Sequence, residues 1–479
     1  MILTEALTAV ASPSAPALHA HAAVLKAHGR TTAALEANRR AAALYPQSAV
    51  SWHNLAATLG DLERAAEAET SARRAMALGL SAPETRLVLA RALQSQGRLD
   101  EAEATYREAL TLRPGYADAV RDLAQLIWMR SSDPQLALEV VDAAVDGLPG
   151  RADLIAVQAM VREQVGDPER ALDGLIAALK KAPASPALLN LAARLSLTLE
   201  RTGLAGELAR RLTAAAPADA ESAGLLAAEI HLAEGDTARA EMVAREVLRR
   251  APDQQRALAL LATAWRMAGD ARYRSLYDYE AFVATYDLEP PRGWATLPEF
   301  LNQTAGALNR LHSFETHPFH QSVRHGGQAP LRLDGSHEPA IEALLEQLRD
   351  RTADYARRLG HGRDPFRARN SGEVQMTGLW SIRLRASGFH TDHVHPQGWI
   401  SSACYIALPA LSNDPHDRAG WLKFGEPGLR TPAPLTAEHF VQPQPGRLVL
   451  FPSYMWHGTV PFSAKGDRLT VAFDAQPVI

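Results

Sequence analysis

Cysteine is almost absent from this chain of 479 residues, because Cys404 is the only one. A single cysteine excludes an intramolecular disulfide and a cluster of thiolate metal ligands, and it favours a reducing, cytoplasmic location. The sequence has no apolar run long enough to span a membrane, and residues 1–20 lack the basic start and apolar core of a secretion signal. The formal net charge of −4 and the lack of a long basic run predict no binding to nucleic acid or to a membrane surface.

Phenylalanine is scarce in the first part of the chain, since only Phe282 of the eleven phenylalanines precedes residue 300. The first 270 residues are rich in Ala, Leu, Arg and Glu, and this composition changes near Leu288–Pro291. A change of composition beside paired prolines indicates a domain boundary, and the length of the chain favours two or more domains. We therefore predict an N-terminal segment at 1–16, a helical domain at 17–272, a linker at 273–294 and a C-terminal domain at 295–479.

The helical domain has a repeat whose period is marked by proline. Most intervals between the marking prolines are 34 or 35 residues, and one interval of 68 is double. This period is typical of a helix–turn–helix unit, in which proline follows the second helix because it has no amide hydrogen to donate. The marking prolines are Pro46, Pro114, Pro149, Pro183, Pro217 and Pro252.

One unit, between Pro83 and Pro114, has the small and large residues that two closely packed helices require. These residues are Leu89, Ala90 and Leu93 before the turn Gly97–Asp100, and Ala102, Tyr106 and Ala109 after it. The pattern resembles the tetratricopeptide repeat, and about seven such units fit between residues 17 and 272. The resemblance implies an all-α solenoid whose concave groove binds a protein or peptide, or mediates self-association.

The C-terminal domain is predicted to contain two helices, Leu297–Leu311 and Glu338–Arg358, followed by short strands separated by Gly and Pro. Strands of this kind without intervening helices are typical of a β-sandwich or barrel. The predicted fold class is thus an α + β multidomain chain, in which the solenoid precedes a double-stranded β-helix (jelly roll) with flanking helices. The predicted strands are Met376–Arg385, Phe389–His395, Trp399–Leu408, Trp421–Phe424, Glu438–Val441, Arg447–Phe451, Gly458–Pro461 and Arg468–Phe473.

Three histidines of this domain have the spacing of a metal site. His393 and His395 alternate on a predicted strand and so lie on one face of it, and His457 follows on a distant strand. Non-haem iron oxygenases hold the metal by three protein ligands on one side, which leaves the other positions open. We therefore predict that His393, His395 and His457 bind iron(II). His390 and Asp392 are alternatives to the first two ligands, because they have the His-x-Asp spacing.

Two side chains on a later predicted strand, Arg468 and Thr470, are candidates for holding an anion beside this metal. They are two residues apart and so face the same side, and a guanidinium and a hydroxyl together bind a carboxylate. Tyr405 is a further candidate for this contact, although an aromatic residue in an apolar strand is more often part of a core. A metal beside a bound dicarboxylate predicts 2-oxoglutarate as co-substrate.

At these residues the chain resembles the iron(II)/2-oxoglutarate-dependent oxygenases, in particular a bacterial group that joins tetratricopeptide repeats to an oxygenase domain. The resemblance rests on the segments Gly388–Pro396, Gly398–Tyr405, Gly446–His457 and Arg468–Thr470. It implies Fe(II) as cofactor, 2-oxoglutarate and O2 as co-substrates, and hydroxylation of a C–H bond.

The ligand set departs from most of that superfamily, which has a carboxylate where this chain has His395. We favour His393 and His395 over His390 and Asp392 because the later pair matches the pattern of the bacterial group. Three hypotheses follow: a dioxygenase acting on a protein or peptide that the repeats recruit, a non-catalytic scaffold with an inactive or sensing oxygenase-like domain, and a hydroxylase of a small metabolite.

Overall fold

A computed structural model of the protein describes residues 13–217, 219–333, 337–410, 414 and 416–478. Of the predicted N-terminal segment, only 13–16 fall within these residues. The chain divides into two compact units, one formed by Met1–Trp128 and Asp133–Val161, the other by Met129–Ser132 and Arg162–Ile479. The domain boundaries predicted from the sequence stay predictions.

The first half of the chain is a solenoid of α-helices joined by short turns, as predicted. Proline stands in the first turn of α5, α8, α10 and α11, where its missing amide hydrogen leaves no hydrogen bond unmade. The helices are α1 Ala15–Ala27, α2 Thr31–Leu44, α3 Ala49–Asp61, α4 Ala65–Ala77, α5 Pro83–Ser95, α6 Leu99–Leu112, α7 Ala117–Ser131, α8 Pro134–Gly147, α9 Ala152–Gln164, α10 Pro168–Lys181, α11 Pro186–Thr198, α12 Thr202–Ala215, α13 Ala220–Glu234, α14 Thr237–Arg250 and α15 Gln255–Met267.

The helices of a repeat pack through small residues, as α5 and α6 illustrate. Ala90 and Ala102 are fully buried, which lets the two backbones approach closely. Tyr106 fills the space beside them, and its hydroxyl donates a 3.0 Å hydrogen bond to the side chain of Gln94. The alternation of small and large residues in the sequence therefore corresponds to the contact between the helices.

Further helical segments connect the solenoid to the sheets and flank them. They are a 3-10 turn at Ala271–Ser275, α16 at Tyr279–Phe282, α17 at Leu297–Asn309, α18 at Pro339–Leu359 and a 3-10 turn at Arg367–Arg369. The two longer helices agree with those predicted from the sequence. Within the described ranges, none of the helices combines the length and the apolar character needed to cross a membrane. The cytoplasmic location stays a prediction.

The strands form two antiparallel sheets. The larger sheet has the order β1-β7-β4-β9-β3-β2, and the smaller has the order β6-β5-β8. Phe451 of β7 packs against Phe424 of β5 with 5.0 Å between ring centroids, so the two sheets share a core. The strands are β1 Ala284–Asp287, β2 Val323–Pro330, β3 Val374–His390, β4 Ile400–Ala407, β5 Leu422–Phe424, β6 His439–Val441, β7 Arg447–Pro452, β8 His457–Thr459 and β9 Arg468–Pro477.

The predicted strands on either side of Ser387 are one strand in the structure, β3, which ends at His390. The prediction that a strand contains His393 and His395 was therefore wrong. After β3 the chain leaves the larger sheet and pairs with the smaller one: the backbones of His393 and His457 exchange two hydrogen bonds, of 3.0 and 3.1 Å. His395 N–H donates to the carbonyl of Ser453, which ends the extended segment.

Candidate metal centre

His393, His395 and His457 come together where β8 meets the segment that follows β3. One ring nitrogen of each lies within 4.8 Å of the corresponding nitrogen of the other two. Among the described residues, this is the cluster of His, Cys, Asp and Glu side chains with the spacing to hold a metal ion. The backbone pairing of His393 with His457 sets this spacing, because it brings together histidines from distant parts of the chain.

The hydrogen bonds of the three rings define which nitrogen carries the proton. Nδ1 of His393 donates to the carbonyl of Thr391 at 2.8 Å, and Nδ1 of His457 donates to the carbonyl of Met455 at 2.9 Å. Nδ1 of His395 lies 2.7 and 2.8 Å from the two carboxylate oxygens of Asp474. Carbonyl and carboxylate oxygens only accept, so each Nδ1 carries hydrogen and each neutral ring has its lone pair on Nε2.

The Nε2 atoms of His393 and His395 are only 3.1 Å apart. Two neutral imidazoles in this tautomer bring their lone pairs together there, which is repulsive unless a proton or a cation lies between them. The Nε2 lone pairs of the three imidazoles therefore point towards one position, and a positive charge at that position would relieve their repulsion. These are the properties of a site for a divalent transition metal.

Burial controls the protonation of these histidines. It lowers the pKa of His393 to about 3, with a smaller contribution from His395, and it holds the pKa of His457 well below its usual range. Burial also lowers the pKa of His395, but the Asp474 carboxylate outweighs it and the pKa is raised. Two of the rings are thus kept neutral, the form that binds a metal.

Asp474 belongs to a buried hydrogen-bond network beneath His395. Ser401 donates to the Asp474 carboxylate at 2.7 Å, and its hydroxyl lies 2.8 Å from that of Ser453. Gly398 lies against this network, since a Cβ there would be 2.2 Å from the Ser453 hydroxyl. The network holds the carboxylate in one orientation and so holds the His395 ring.

Arg468 and Thr470 line the cavity that contains the three histidines. Arg468 is buried, and its Nη1 donates to Thr459 at 3.0 Å, while its Nε has no hydrogen-bond partner in the described structure. Tyr405, opposite Thr470 in the sheet register, has its ring centroid 5.0 Å from the guanidinium carbon of Arg468. Burial raises the pKa of Tyr405 and keeps its hydroxyl protonated. The buried guanidinium of Arg468 can therefore bind an anionic oxygen through Nε.

The alternative ligands His390 and Asp392 have other partners. The Asp392 carboxylate forms an ion pair with Lys423 at 2.9 Å, and Lys423 also binds Glu426. Nδ1 of His390 lies 2.9 Å from the Ser322 hydroxyl. The geometry brings together His393, His395 and His457, and it does not group His390 and Asp392 with them.

The cavity around these residues has a volume of about 690 Å³ and extends from Asp474 to β2. This volume is in the range of small-molecule sites. Asp474, Ser322 and Arg324 are among the lining residues that the sequence did not lead us to predict. Asp474 could have been found from the sequence, because it lies six residues after Arg468 on one strand and so faces the same side.

Family models match both parts of the chain. Residues 378–474 match the family described as "Putative 2OG-Fe(II) oxygenase", and residues 53–117, 87–152 and 157–220 match the tetratricopeptide repeat. The chain therefore combines segments that match tetratricopeptide repeats with a C-terminal segment that matches the family described as putative 2OG-Fe(II) oxygenase. That family implies Fe(II), 2-oxoglutarate and O2, and the histidine cluster fits such a metal. Tetratricopeptide repeats typically bind protein or peptide partners.

Solved structures similar to this chain include tetratricopeptide repeat proteins. One from Parabacteroides merdae is 15% identical with a TM-score of 0.37, over 52% of this chain and 98% of that one. PilF of Pseudomonas aeruginosa is 17% identical with a TM-score of 0.33, over 45% and 98%. YrrB, described as having an unusual peptide-binding site, is 18% identical with a TM-score of 0.27, over 40% and 96%. No curated protein matches the sequence.

Proposed function

We propose that the C-terminal domain is an iron(II)- and 2-oxoglutarate-dependent dioxygenase with a double-stranded β-helix (jelly-roll) fold, and that it hydroxylates a protein or peptide recruited by the repeats. The observation that carries this proposal is the shared tautomer of His393, His395 and His457, whose Nε2 lone pairs converge. These three residues would hold Fe(II). Bound iron supplies the activation of O2, coupled to oxidation of 2-oxoglutarate to succinate and CO2 and to hydroxylation of a C–H bond.

Arg468 and Thr470 would hold a carboxylate of 2-oxoglutarate, with Tyr405 donating to the same group. Among the described residues neither Nε of Arg468 nor the hydroxyl of Tyr405 has a hydrogen-bond partner, and this supports the assignment because each needs an acceptor. Arg468 is 2% exposed, so its interaction with an anion is little screened by water. Asp474 keeps the proton of His395 on Nδ1 and its ring in one orientation, which leaves Nε2 to the metal.

The proposal is tested by anaerobic titration of the full-length protein with Fe(II) and then 2-oxoglutarate, followed by the metal-to-ligand charge-transfer absorption. We expect the band in the wild type and in Asp392→Asn, and its loss in His393→Ala. The control is His361→Ala, an exposed histidine outside the cavity, which should keep the band. Loss of the band in Asp392→Asn with retention in His393→Ala would move the ligands to His390 and Asp392.

The non-catalytic alternative is favoured by one observation, the lack of a carboxylate in the ligand cluster. It is separated from the dioxygenase by admitting O2 to the loaded protein and measuring succinate. Succinate formation that requires both Fe(II) and O2 supports the enzyme. Binding of iron and 2-oxoglutarate without succinate would support a sensor, and failure to retain iron would leave only a scaffold.

A further inference from the structure

The cavity continues past the metal histidines to β2, where Gln164, Arg324 and Gln328 line it. Its charged lining residues other than histidine are Arg324, Arg468 and Asp474. Asp474 is bound by His395, and Arg468 has the role proposed for it with 2-oxoglutarate. Arg324 is therefore a cation in the same cavity that has no role in the proposed binding of the metal or of 2-oxoglutarate.

Arg324 lies close to the metal cluster but apart from the 2-oxoglutarate residues. Ser322, two residues before it, has its hydroxyl 3.2 Å from Nε2 of His393, and both residues line the cavity. Two residues along an extended chain span about 7 Å. In the larger sheet β3 separates β2 from β9, so Arg324 and Arg468 stand on strands about 10 Å apart. The two arginines thus define two separate anion positions.

The guanidinium of Arg324 is held in place through one of its nitrogens. Nη1 donates to the carbonyls of Gln321 and Val323, at 2.6 and 2.8 Å. The edge formed by Nε and Nη2 remains for a bidentate pair with a carboxylate. Within the described residues no acidic side chain forms an ion pair with Arg324, although the charge of Glu163 acts on it from a longer distance.

A second donor beside Arg324 is oriented in a similar way. The side-chain carbonyl of Gln164 accepts a 2.9 Å hydrogen bond from the backbone N–H of His320. Its amide group is then left to donate into the cavity that Gln164 lines. This end of the cavity is therefore rich in fixed donors, and none of the described residues that line it there carries a carboxylate.

We propose that Arg324 binds a carboxylate of the substrate, and that the substrate is a peptide with an Asp or Glu side chain at or beside the hydroxylated residue. This inference rests on the proposed function, because it needs a metal and 2-oxoglutarate in the inner part of the cavity. A free small carboxylic acid has the same chemistry and is a separate arm of the test.

The test uses the full-length protein loaded with Mn(II) and 2-oxoglutarate, and measures paramagnetic relaxation of the protons of added peptides. The probes are capped pentapeptides that differ at one central residue, Asp or Glu against Asn or Gln, and the free acids N-acetylaspartate and N-acetylglutamate. The variants are Arg324→Gln and Arg324→Lys. The matched control is Arg385→Gln on β3, where the arginine is partly exposed and pairs with Glu315.

We expect the wild type to bind the acidic peptides at least tenfold more tightly than the amide peptides. Arg324→Gln should abolish the difference, Arg324→Lys should keep part of it because only the bidentate geometry is lost, and Arg385→Gln should leave it unchanged. Free acids that bind as tightly as the acidic peptides would support the carboxylate site and assign it to a small acid.

Equal relaxation of the acidic and amide peptides, including none in either, would overturn the inference while the proposed function stands. Weakened binding of 2-oxoglutarate in Arg324→Gln would also overturn it, since Arg324 would then bind the co-substrate. Failure of the wild type to bind Mn(II) and 2-oxoglutarate would remove the proposed function, and this inference with it.

Discussion

At the scale of single residues, Asp474 supplies a negative charge that the three histidines of the proposed metal site lack. Related oxygenases place a carboxylate directly on the metal. Here the Asp474 carboxylate accepts a hydrogen bond from Nδ1 of His395 instead, and a hydrogen bond from Ser401 holds it in position. Such a pair orients the ring and makes its other nitrogen more basic. A buried carboxylate in this position offsets part of the charge of a divalent ion.

Asp474→Asn should weaken Fe(II) binding about 10- to 100-fold, because the amide keeps the shape of the side chain but removes its charge. The measurement is anaerobic metal titration against a competing chelator. Asp467→Asn is the control, since Asp467 precedes the same strand with a side chain 50% exposed. Unchanged affinity in Asp474→Asn would show that the carboxylate has no part in metal binding.

Residue chemistry also makes the stability of the protein depend on pH. Burial, aided by the charge of Arg383, lowers the pKa of His312 to about 4. Since the unfolded histidine has a pKa of about 6.5, the unfolded state binds more protons between pH 6.5 and 4. The contribution of His312 to stability is therefore complete above pH 6.5 and is lost as the pH falls towards 4.

Lowering the pH from 7.5 to 5 should cost about 2 kcal/mol through His312 alone, from its two pKa values. In His312→Gln this part of the loss should disappear, whatever the substitution does to stability at pH 7.5. Urea unfolding at both pH values measures it, and His361→Gln, an exposed histidine, should behave as the wild type. An unchanged pH dependence in His312→Gln would contradict the prediction.

At the scale of elements, the connection between β5 and β6 is held at both ends by one side chain of α15. Nη1 of Arg266 donates to the carbonyl of Gly425, and Nη2 donates to the carbonyl of Thr436, both at 2.7 Å. Between these points Gly428 lies against the backbone of Asp392, where a Cβ would be 2.0 Å from the carbonyl oxygen. The connection therefore packs on the segment that leads to His393.

Arg266→Ala should release this connection, because two backbone carbonyls lose a charged donor. We expect faster amide hydrogen exchange across 425–436 and a loss of about 1–3 kcal/mol in unfolding free energy. Arg274→Ala is the control: it also lies near Glu438, but its side chain is 63% exposed. Equal exchange rates in the wild type and Arg266→Ala would show that other contacts hold the connection.

At the scale of the whole molecule, the last solenoid helices and the sheets share one apolar core. Hydrogen bonds cross it as well: the indole N–H of Trp456 donates to Thr263 of α15 at 3.0 Å. The Tyr277 hydroxyl accepts from the backbone N–H of Trp456 at 2.9 Å and donates to the carbonyl of Tyr454. Since Trp456 precedes His457, this core also supports the proposed metal site.

Tyr277→Phe should destabilise α15 and β7 by the same amount, about 1–3 kcal/mol, because it leaves a buried amide hydrogen without an acceptor. Hydrogen exchange of peptides from the two elements, at rising denaturant, tests whether they open together. Tyr286→Phe, which loses only a 3.2 Å contact with the exposed Arg358, is the control. A loss confined to one element would contradict a single cooperative core.

The sequence by itself determined the features that depend on local spacing. Proline and alanine at a fixed period predict the solenoid, since helix ends and helix contacts are set within each repeat. The spacing of His393 and His395, with Arg468 and Thr470 on one strand face, identified most of the candidate site. Each of these predictions follows from the geometry of residues that are close together in the sequence.

The tertiary structure alone decided what depends on pairing between distant segments. Asp474 is 79 residues from His395, and no local pattern joins them. After His390 the chain pairs with the smaller sheet instead of the larger one, so the predicted strand that contained His393 and His395 was wrong. Arg324 enters the cavity through the pairing of β2 with β3. The hydrophobic pattern of a strand sets which of its faces is buried, but it does not name the distant segment with which the strand pairs.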